Sequence, residues 1–376
     1  MVDKNLGGSG LRGQVAGETA LCTVGKSGTR LTYRGFDISV LAENASFEEV
    51  AFLLLRGHLP NQGELEEYLT KIIQNRRLPQ ALMDVLERLP ASAHPMDVMR
   101  TGCSVLGNLE TETDFEQQDE AIDRLLAILP AIICYWYSFS HYGKRIETEL
   151  DDPSIGAHFL HMLSAQRPSE LFSQVMNTSL ILYAEHEFNA STFTARVCAS
   201  TLSDIHSCIA GAIGSLRGPL HGGANEAAMG MIRTWQSPDE AEEALLEMLA
   251  RKEKIMGFGH AIYRESDPRN VIIKQWAKKL ADSVGDTVLY PVSVRCEEVM
   301  WREKRLFCNA DFFHASAYHF MGIPTKLFTP IFVMSRITGW SAHIMEQHAA
   351  NKLISCLLYT SPSPRDVEES RMPSSA

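Results

Sequence analysis

The sequence predicts an all-α protein with one small β-hairpin near its N-terminus. Over most of the chain, apolar residues recur at the helical spacing i, i+3, i+4 and i+7. Runs of β-branched residues alternating with helices, which are typical of a doubly wound sheet, are absent from the sequence pattern. We therefore expect a helical core preceded by a single hairpin.

The hairpin is predicted by two short extended runs, Thr19–Val24 and Thr29–Tyr33. The glycine-flanked segment Gly25-Lys26-Ser27-Gly28 separates them and is typical of a tight turn. Val24-Gly25-Lys26-Ser27 also resembles the end of the phosphate-binding loop G-x-x-x-x-G-K-[ST]. Ala20 stands where that motif has its first glycine, and no helix follows the serine. A hairpin turn is therefore the better interpretation.

Two helices are predicted to begin at capping residues. Ser46 is followed by Glu49, which predicts a capping box in which each side chain binds the backbone amide of the other. Ser237 and Glu240 repeat this pattern, with Pro238 at the first helical position. The other predicted helices are Glu64–Ile73, Gln80–Leu89, Met96–Leu106, Ala121–Tyr142, Glu170–Glu187, Thr192–Leu216, Ala224–Trp235, Arg269–Val284, Val294–Arg305 and Pro330–Gln347.

Composition and charge narrow the class of protein. The 376 residues suit one large domain or two unequal ones, and 45% hydrophobic with 22% charged residues is typical of a globular chain. The net charge of −11 gives no long-range attraction to nucleic acid or an anionic membrane. The longest uncharged apolar stretch, Leu125–Tyr137, is well short of the roughly 20 residues that span a bilayer. The eight cysteines contain no C-x-x-C pair, which favours reduced thiols and a cytoplasmic location.

Three segments interrupt the helical pattern, two of them with glycine beside histidine and the third with an acid among apolar residues. They are Arg217–Asn225, Gly257–His260 and Cys308–Phe312. Glycine at such places either turns the chain or allows the backbone to approach a ligand closely. These segments hold the first candidates for chemistry.

His221 precedes a helix that starts near Ala224, where a developing oxyanion would be stabilised. A plain loop histidine is an equally good interpretation of this position taken alone. His260 follows two glycines and is itself followed by Arg264 and Arg269. Asp311 lies in an apolar stretch, where desolvation would raise its pKa toward that of a useful base. The alternative for Asp311 is an acidic helix cap.

A metal site is not expected. His158 and His161 are three residues apart, but no acid or cysteine beside them completes a ligand set. Glu185-His186-Glu187 lacks the H-E-x-x-H continuation, since position 190 is alanine. The sequence also lacks a G-x-S-x-G nucleophile elbow. A metal hydrolase is therefore a poor alternative.

The motifs of this chain resemble those of the citrate synthase family, and within it those of the bacterial 2-methylcitrate synthases. The resemblance covers about Gly17 to Ile354. The strings that carry it are Leu21–Gly28, His94–Gly102, Tyr183–Thr192, the His221 loop, Gly257–His260 with Asp267-Pro268-Arg269, and Arg336–Trp340. Val299-Met300-Trp301 adds to the likeness with the methylcitrate enzymes.

The resemblance implies a catalytic set of His221, His260 and Asp311. By this analogy, Asp311 removes a proton from the carbon next to the thioester of an acyl-CoA. His221 stabilises the enolate, and His260 protonates the keto oxygen of oxaloacetate as the new carbon–carbon bond forms. Hydrolysis of the thioester then releases CoA.

The resemblance also implies the binding residues. His186, Arg269 and Arg336 match the positions that bind oxaloacetate, whose two carboxylates need fork-shaped donors. Arg264 matches a contact to CoA phosphate in some relatives. The positions matching the loop around the CoA adenine are Lys254, Ile255, Met256, Gly257, Phe258 and Gly259. No permanently bound cofactor is implied, because acyl-CoA is a substrate.

The implied organisation is a large helical domain, 1–223 and 330–354, with a smaller inserted domain, 224–329, and a homodimeric assembly. The implied reaction joins propionyl-CoA to oxaloacetate and water to give 2-methylcitrate and CoA. Citrate synthesis from acetyl-CoA is the closest alternative. A non-catalytic helical dimer that binds acyl-CoA is a further one.

The segment 355–376 differs in kind from the rest, with six serines and three prolines. It is interpreted either as a disordered tail or as a translated sequencing adapter or read-through.

In relatives, the run matching Asn351–Ile354 continues into Arg-Pro, and that arginine holds the oxaloacetate of the neighbouring subunit. Here Ser355-Cys356 follows, and one lost charge-assisted bond costs about 2–3 kcal/mol. The resulting hypothesis is a chain that folds and dimerises but turns over poorly, which a normal kcat and oxaloacetate KM would contradict.

Overall fold

The computed structural model describes residues 17–25 and 30–354. Within these residues the chain forms sixteen α-helices and one three-stranded sheet, which confirms the all-α fold. The turn residues Lys26-Ser27-Gly28 and the segment 355–376 lie outside the described residues.

The sheet consists of β1 (Cys22–Val24), β2 (Leu31–Tyr33) and β3 (Phe36–Asp37), antiparallel in the order β1-β2-β3. The predicted pairing of the first two extended runs is confirmed. The third strand was not predicted, because two residues are too short for a periodic pattern. A tight turn at Arg34 and Gly35, with φ of 44° and 89°, leads into it.

The helices account for most of the remaining described residues. The first eight are α1 (Ile38–Asn44), α2 (Phe47–Arg56), α3 (Gln62–Gln74), α4 (Gln80–Leu86), α5 (Pro95–Leu109), α6 (Gln118–Tyr142), α7 (Ile155–Ser164) and α8 (Glu170–Tyr183). The others are α9 (Ala190–Ala199), α10 (Ile205–Leu216), α11 (Ala224–Ile232), α12 (Pro238–Ala250), α13 (Pro268–Val284), α14 (Leu289–Lys304), α15 (Ala310–Phe320) and α16 (Phe328–Ala350).

The prediction of one helix over Thr192–Leu216 was wrong. The chain breaks after α9, Leu202 adopts a φ of 62°, and Asp204 accepts the amide of Ser207 to start α10. Asp204, an aspartate that can cap a helix, was therefore the signal in the sequence for the start of a new helix. The predicted helix Glu170–Glu187 ends earlier, at Tyr183, and α1 and α15 were not predicted.

The two capping predictions had different outcomes. At Ser46 the full capping box is present. At Ser237 the hydroxyl accepts the amide of Glu240, but the Glu240 carboxylate accepts the amide of Gln236 instead of that of Ser237. The second box is therefore only half formed.

The core is built around two long helices, α6 and α16. The helix α16 packs against α2, α6, α8, α9 and α10. The segment Phe115–Tyr142, a 3-10 turn followed by α6, is long and apolar enough to cross a membrane, but 83% of its apolar window is buried inside the protein. That degree of burial is what a central core helix shows.

The helices α11 to α15 pack largely on one another, with α13 against α15 and α12 against α14. The division into 1–223, 224–329 and 330–354 stays a prediction. The N-termini of α11 and α15 face the C-terminal end of α8 and one side of α16, and a cleft opens between them.

Candidate active site

The three segments that interrupt the helical pattern meet in one cleft of about 540 Å³. All six residues predicted for catalysis and oxaloacetate binding line it, namely His186, His221, His260, Arg269, Asp311 and Arg336. A larger cavity of about 720 Å³ lies elsewhere, among the ends of α3 to α6, and none of the six lines it. The smaller cleft is therefore the candidate site.

His221 has a defined tautomer. Its Nε2 accepts the backbone amide of Ser191 at 3.1 Å and lies 2.8 Å from the Ser191 hydroxyl. Because an amide can only donate, Nε2 carries the lone pair and the ring proton is on Nδ1. Burial, followed by the charge of Arg336, lowers the pKa of His221 to about 4. A neutral N–H donor therefore remains on the other side of the ring.

His260 is held through its other ring nitrogen, Nδ1. Its Nδ1 accepts the amides of Ile262 at 3.1 Å and Tyr263 at 3.3 Å, which leaves the proton on Nε2. Burial, followed by the charge of Arg269, lowers the pKa of His260 to about 4. The preceding Gly257 has a φ of 88°, and a Cβ there would lie 2.8 Å from Phe312. Glycine is needed because this loop packs directly on α15.

Asp311 lies in the first turn of α15, but it is not the helix cap. Asn309 is the cap, and its side chain accepts the amide of Asp311 at 3.1 Å. The carboxylate is thus free to face the cleft, where its Oδ1 accepts the hydroxyl of Tyr183 at 2.7 Å. Burial raises the pKa of Asp311, while the Tyr183 hydrogen bond and Arg269 act in the opposite direction. The result is a carboxylate that binds a proton more readily than an exposed aspartate does.

Arg269 is held by Asp267, which the sequence reasoning did not assign a role. Arg269 donates from Nε at 3.0 Å and from Nη2 at 2.8 Å to the two carboxylate oxygens of Asp267. Asp267 also accepts the amide of Ala310 at 3.0 Å. One buried acid therefore fixes both the arginine and the start of the helix that carries Asp311. The signal was present in the sequence, since an aspartate before Pro268 is a typical helix cap.

Arg336 and His186 are each held by a hydrogen-bonding partner on one side of the side chain. Arg336 donates from Nε to the carbonyl of Tyr183 at 2.6 Å and lies over the ring of Phe332. The Nε2 of His186 lies 3.0 Å from the hydroxyl of Tyr263. Burial, and then the positive charge of Arg269, hold the pKa of His186 well below its usual value. The cleft thus combines two cations with neutral histidines, an arrangement that suits a dicarboxylate with a keto group.

The end of α8 is braced by the small sheet. The Tyr33 hydroxyl lies 3.0 Å from the carbonyl oxygen of Ile181 and 3.1 Å from that of Glu185, so it links the last turn of α8 to the segment that follows it. Glu187, with a φ of 49°, accepts the amide of Val24 at 2.8 Å. The hairpin therefore helps to hold Tyr183 and His186 in the cleft.

A chain of hydrogen-bonded ionisable side chains runs from Glu185, whose charge acts on Arg336, to Glu346. Glu185 accepts Nε2–H of His343 at 2.9 Å, and Nδ1 of His343 accepts Arg196 at 2.9 Å. Arg196 also pairs with Glu346 at 2.9 Å. Burial lowers the pKa of Arg336, and the negative charge of the fully buried Glu185 acts in the opposite direction. This carboxylate offsets positive charge that would otherwise be costly to bury.

The residues predicted to bind CoA divide into two groups. Those that line the cleft are Lys254, Ile255, Met256, Gly257, Phe258 and Gly259. Arg264 is exposed and does not line the cleft. Contacts of all of these with CoA stay predictions.

The histidines considered for a metal have other partners. His158 lies 2.9 Å from the carbonyl of Thr148, and His161 lies 2.8 Å from Asp152. Within residues 17–25 and 30–354, no group of three or more histidine, cysteine or acidic side chains is arranged to hold a metal ion.

Tyr183 is a positioning residue for Asp311 that sequence reasoning missed. Replacing Tyr183 with phenylalanine keeps the ring that stacks on His314 at 4.2 Å but removes the hydroxyl donated to Asp311. Because that hydrogen bond lowers the pKa of Asp311, its loss is expected to move the acidic limb of the pH–rate profile to higher pH. The kcat is expected to fall about tenfold, as for a lost hydrogen bond to a charged group.

The exposed Tyr142 offers a matched control for this prediction, since Tyr142→Phe removes a hydroxyl from a residue that does not line the cleft. An unchanged pH–rate profile in Tyr183→Phe would show that the phenol does not act on the base.

Comparisons with known proteins agree on one family. The family model described as citrate synthase, C-terminal domain, matches residues 10–356. A 2-methylcitrate synthase of Shewanella oneidensis is 67% identical over 365 residues, 97% of each chain. A citrate/2-methylcitrate synthase of Bacillus subtilis is 40% identical over 357 residues, 94% of this chain and 96% of the relative.

Solved structures give the same result for the fold. The citrate synthase of Thermotoga maritima is similar with a TM-score of 0.83 and 36% identity, over 94% of this chain and 96% of the other. The citrate synthase of Thermoplasma acidophilum, in a ternary complex with carboxymethyl coenzyme A and oxaloacetate, is similar with a TM-score of 0.86 and 28% identity, over 93% and 95%.

Proposed function

Because the chain belongs to the citrate synthase family, we propose that it is an acyltransferase that condenses propionyl-CoA with oxaloacetate and water. The products are 2-methylcitrate and CoA. The observation that carries the proposal is that one carboxylate and two neutral histidines line a single cleft. One histidine carries its ring proton on Nδ1, and the other carries it on Nε2. The 67% identical relative named 2-methylcitrate synthase supports the choice of acyl group.

The first half of the reaction forms an enol from the thioester. The carboxylate of Asp311 takes a proton from the α-carbon, and the carbon–hydrogen electron pair moves into the thioester carbonyl. The Nδ1–H of His221 donates to that oxygen as negative charge develops on it. A neutral histidine suits this role because its pKa of about 4 keeps it in one form across the neutral range.

The second half joins the two substrates. The α-carbon attacks the keto carbon of oxaloacetate, and the Nε2–H of His260 gives its proton to the keto oxygen, which becomes a hydroxyl. Arg269, Arg336 and His186 bind the oxaloacetate. Water then attacks the thioester carbonyl of the condensed product and returns a proton to Nε2 of His260. The carbon–sulfur bond breaks, and the sulfur leaves as the thiol of CoA with the proton that Asp311 had taken.

Citrate synthesis from acetyl-CoA is the second candidate. The Bacillus subtilis relative is named for both reactions, and the Thermotoga maritima structure is a citrate synthase. One methylene in an apolar pocket is worth only about 1–3 kcal/mol of discrimination. We therefore expect some activity with both acyl-CoAs.

The experiment that tests the proposal is a comparison of kcat/KM for propionyl-CoA and acetyl-CoA, with CoA release followed at saturating oxaloacetate. The expected result is a higher value for propionyl-CoA. A preference of tenfold or more for acetyl-CoA would reassign the chain as a citrate synthase.

The assembly and location remain inferences. We infer a homodimer from the resemblance to the family, and a cytoplasmic location from the cysteine pattern. The free state of Cys22, Cys103, Cys134, Cys198, Cys208, Cys296 and Cys308 is in keeping with a reducing compartment. The complete acid–base set in the cleft makes a non-catalytic acyl-CoA-binding dimer the weaker alternative.

A further inference from the structure

A small cavity of about 20 Å³ adjoins the cleft beside the two residues that act on the acyl group. His221 and Asp311 form part of its wall, and both also line the cleft. Ala224, Thr329 and Phe332 form further walls. The cavity therefore lies beside the place where the proposed mechanism puts the α-carbon.

The volume and position of this cavity limit what it can contain. A cavity of this kind needs roughly 10–15 Å³ to hold one water molecule, so this one has room for a single water or methyl-sized group. The proposed mechanism puts the α-carbon within reach of Asp311 and the thioester oxygen at His221. A substituent on the α-carbon then lies next to both residues, at the mouth of the cavity.

We propose that this cavity is the subsite for the acyl chain beyond the α-carbon, and that the methyl group of Thr329 sets its depth. The inference rests on the proposed function and deepens it, because it names the range of acyl groups. Acetyl and propionyl thioesters fit, since propionyl adds one methyl group. Butyryl thioesters do not fit.

The wall at Thr329 is rigid. Its amide donates to Oε1 of Glu226 at 3.1 Å, and its hydroxyl binds the same oxygen. Its methyl carbon lies 3.3 Å from where a Cβ on Gly222 would be. Gly222 cannot carry a side chain, because that Cβ would lie 2.1 Å from the carbonyl oxygen of Leu216. Neither side of this contact can yield to a longer chain without strain.

The opposite wall is also held in place. The ring of Phe332 lies 4.5 Å from that of Tyr183, between centroids, and Arg336 lies over it at 4.4 Å. Because both neighbours belong to the catalytic cleft, movement of Phe332 would disturb the site itself. Thr329 is therefore the wall residue that can be changed with the least effect on the reacting groups.

Two substitutions at Thr329 separate volume from hydrogen bonding. Thr329→Ser removes the methyl group and keeps the hydroxyl that binds Glu226, so it enlarges the cavity. Thr329→Val keeps the volume and removes the hydroxyl. The measurement is kcat/KM for acetyl-, propionyl- and butyryl-CoA, expressed as ratios within each variant.

In the wild type, kcat/KM for butyryl-CoA is expected to be at least a hundredfold below that for propionyl-CoA. Thr329→Ser is expected to raise the butyryl-to-propionyl ratio tenfold or more, while Thr329→Val leaves it within threefold of the wild type. Ala224→Val, which narrows the cavity from another wall, is expected to lower the propionyl-to-acetyl ratio tenfold.

The inference is overturned if the wild type turns over butyryl-CoA as well as propionyl-CoA, or if neither Thr329→Ser nor Ala224→Val changes these ratios in the stated direction. In those cases the proposed function stands, because the chain still condenses an acyl-CoA with oxaloacetate. The absence of turnover with any of the three acyl-CoAs would instead overturn the proposed function and this inference with it.

Discussion

Replacing Asp311 with asparagine is expected to lower kcat about a thousandfold with either acyl-CoA, the effect of losing a general base. An amide cannot accept the α-proton, whereas Tyr183 can still donate its hydroxyl to the amide oxygen. The oxaloacetate KM is expected to stay within a few fold of the wild-type value, because Asp311 acts on the other substrate.

The thermal stability of Asp311→Asn distinguishes a loss of catalysis from a loss of folding. Burial raises the pKa of Asp311 in the folded protein, so the folded state binds the proton more tightly than the unfolded state. The ionised carboxylate therefore costs stability above this pKa, and stability rises as the pH falls through it. A neutral amide removes that cost, and Asp311→Asn is expected to have a Tm at pH 8 no lower than that of the wild type.

Steady-state kinetics and a thermal melt test this prediction together. Asp151→Asn is a matched control, because the Asp151 side chain is 83% exposed and pairs with Arg167 at the surface. Wild-type kcat in Asp311→Asn would contradict its role as the base. A collapsed Tm with lost activity would contradict the argument that its charge is buried at a cost.

The second large effect is expected at His221. His221→Ala removes the Nδ1–H aimed at the thioester oxygen, and kcat is expected to fall by about a hundredfold to a thousandfold, as for other lost oxyanion donors. The substitution also leaves the amide of Ser191 without its acceptor, which costs about 1–3 kcal/mol of stability. Binding of oxaloacetate is expected to change little.

The pH dependence gives a second check on His221. Because its pKa is lowered to about 4, the ring stays neutral throughout the neutral range and contributes no ionisation to the pH–rate profile there. His58→Ala is a suitable control, since the His58 side chain is 57% exposed and does not line the cleft. An ionisation near pH 6.5 that disappears in His221→Ala would contradict a neutral hydrogen-bond donor.

The parts of the site that could be predicted were those with a local signal. His221, His260 and Asp311 each stand beside glycine, proline or apolar residues, and the structure brings all three together in one cleft. One of the two interpretations left open from the residues alone is now decided, because Asn309 rather than Asp311 caps α15. The role of His221 stays a prediction, and the structure adds that the amide of Ser191 binds its Nε2.

The parts that could not be predicted depend on tertiary contacts. Tyr183 reaches Asp311 from a helix 128 residues away in the chain, and Tyr33 braces the end of that helix from 152 residues before Glu185. No pattern in either segment indicates these contacts. The break between α9 and α10 was missed because apolar spacing continues across it, while Leu202 turns the chain through a left-handed conformation.

The central claim is that this cleft forms a carbon–carbon bond between an acyl-CoA and oxaloacetate, and product stoichiometry tests it most directly. The protein would be incubated with propionyl-CoA and oxaloacetate, and CoA and tricarboxylate would be quantified together, with Asp311→Asn in parallel. The prediction is one molecule of 2-methylcitrate for each CoA released, and almost no product from the variant. Release of CoA without 2-methylcitrate, or equal product from the variant, would contradict the account.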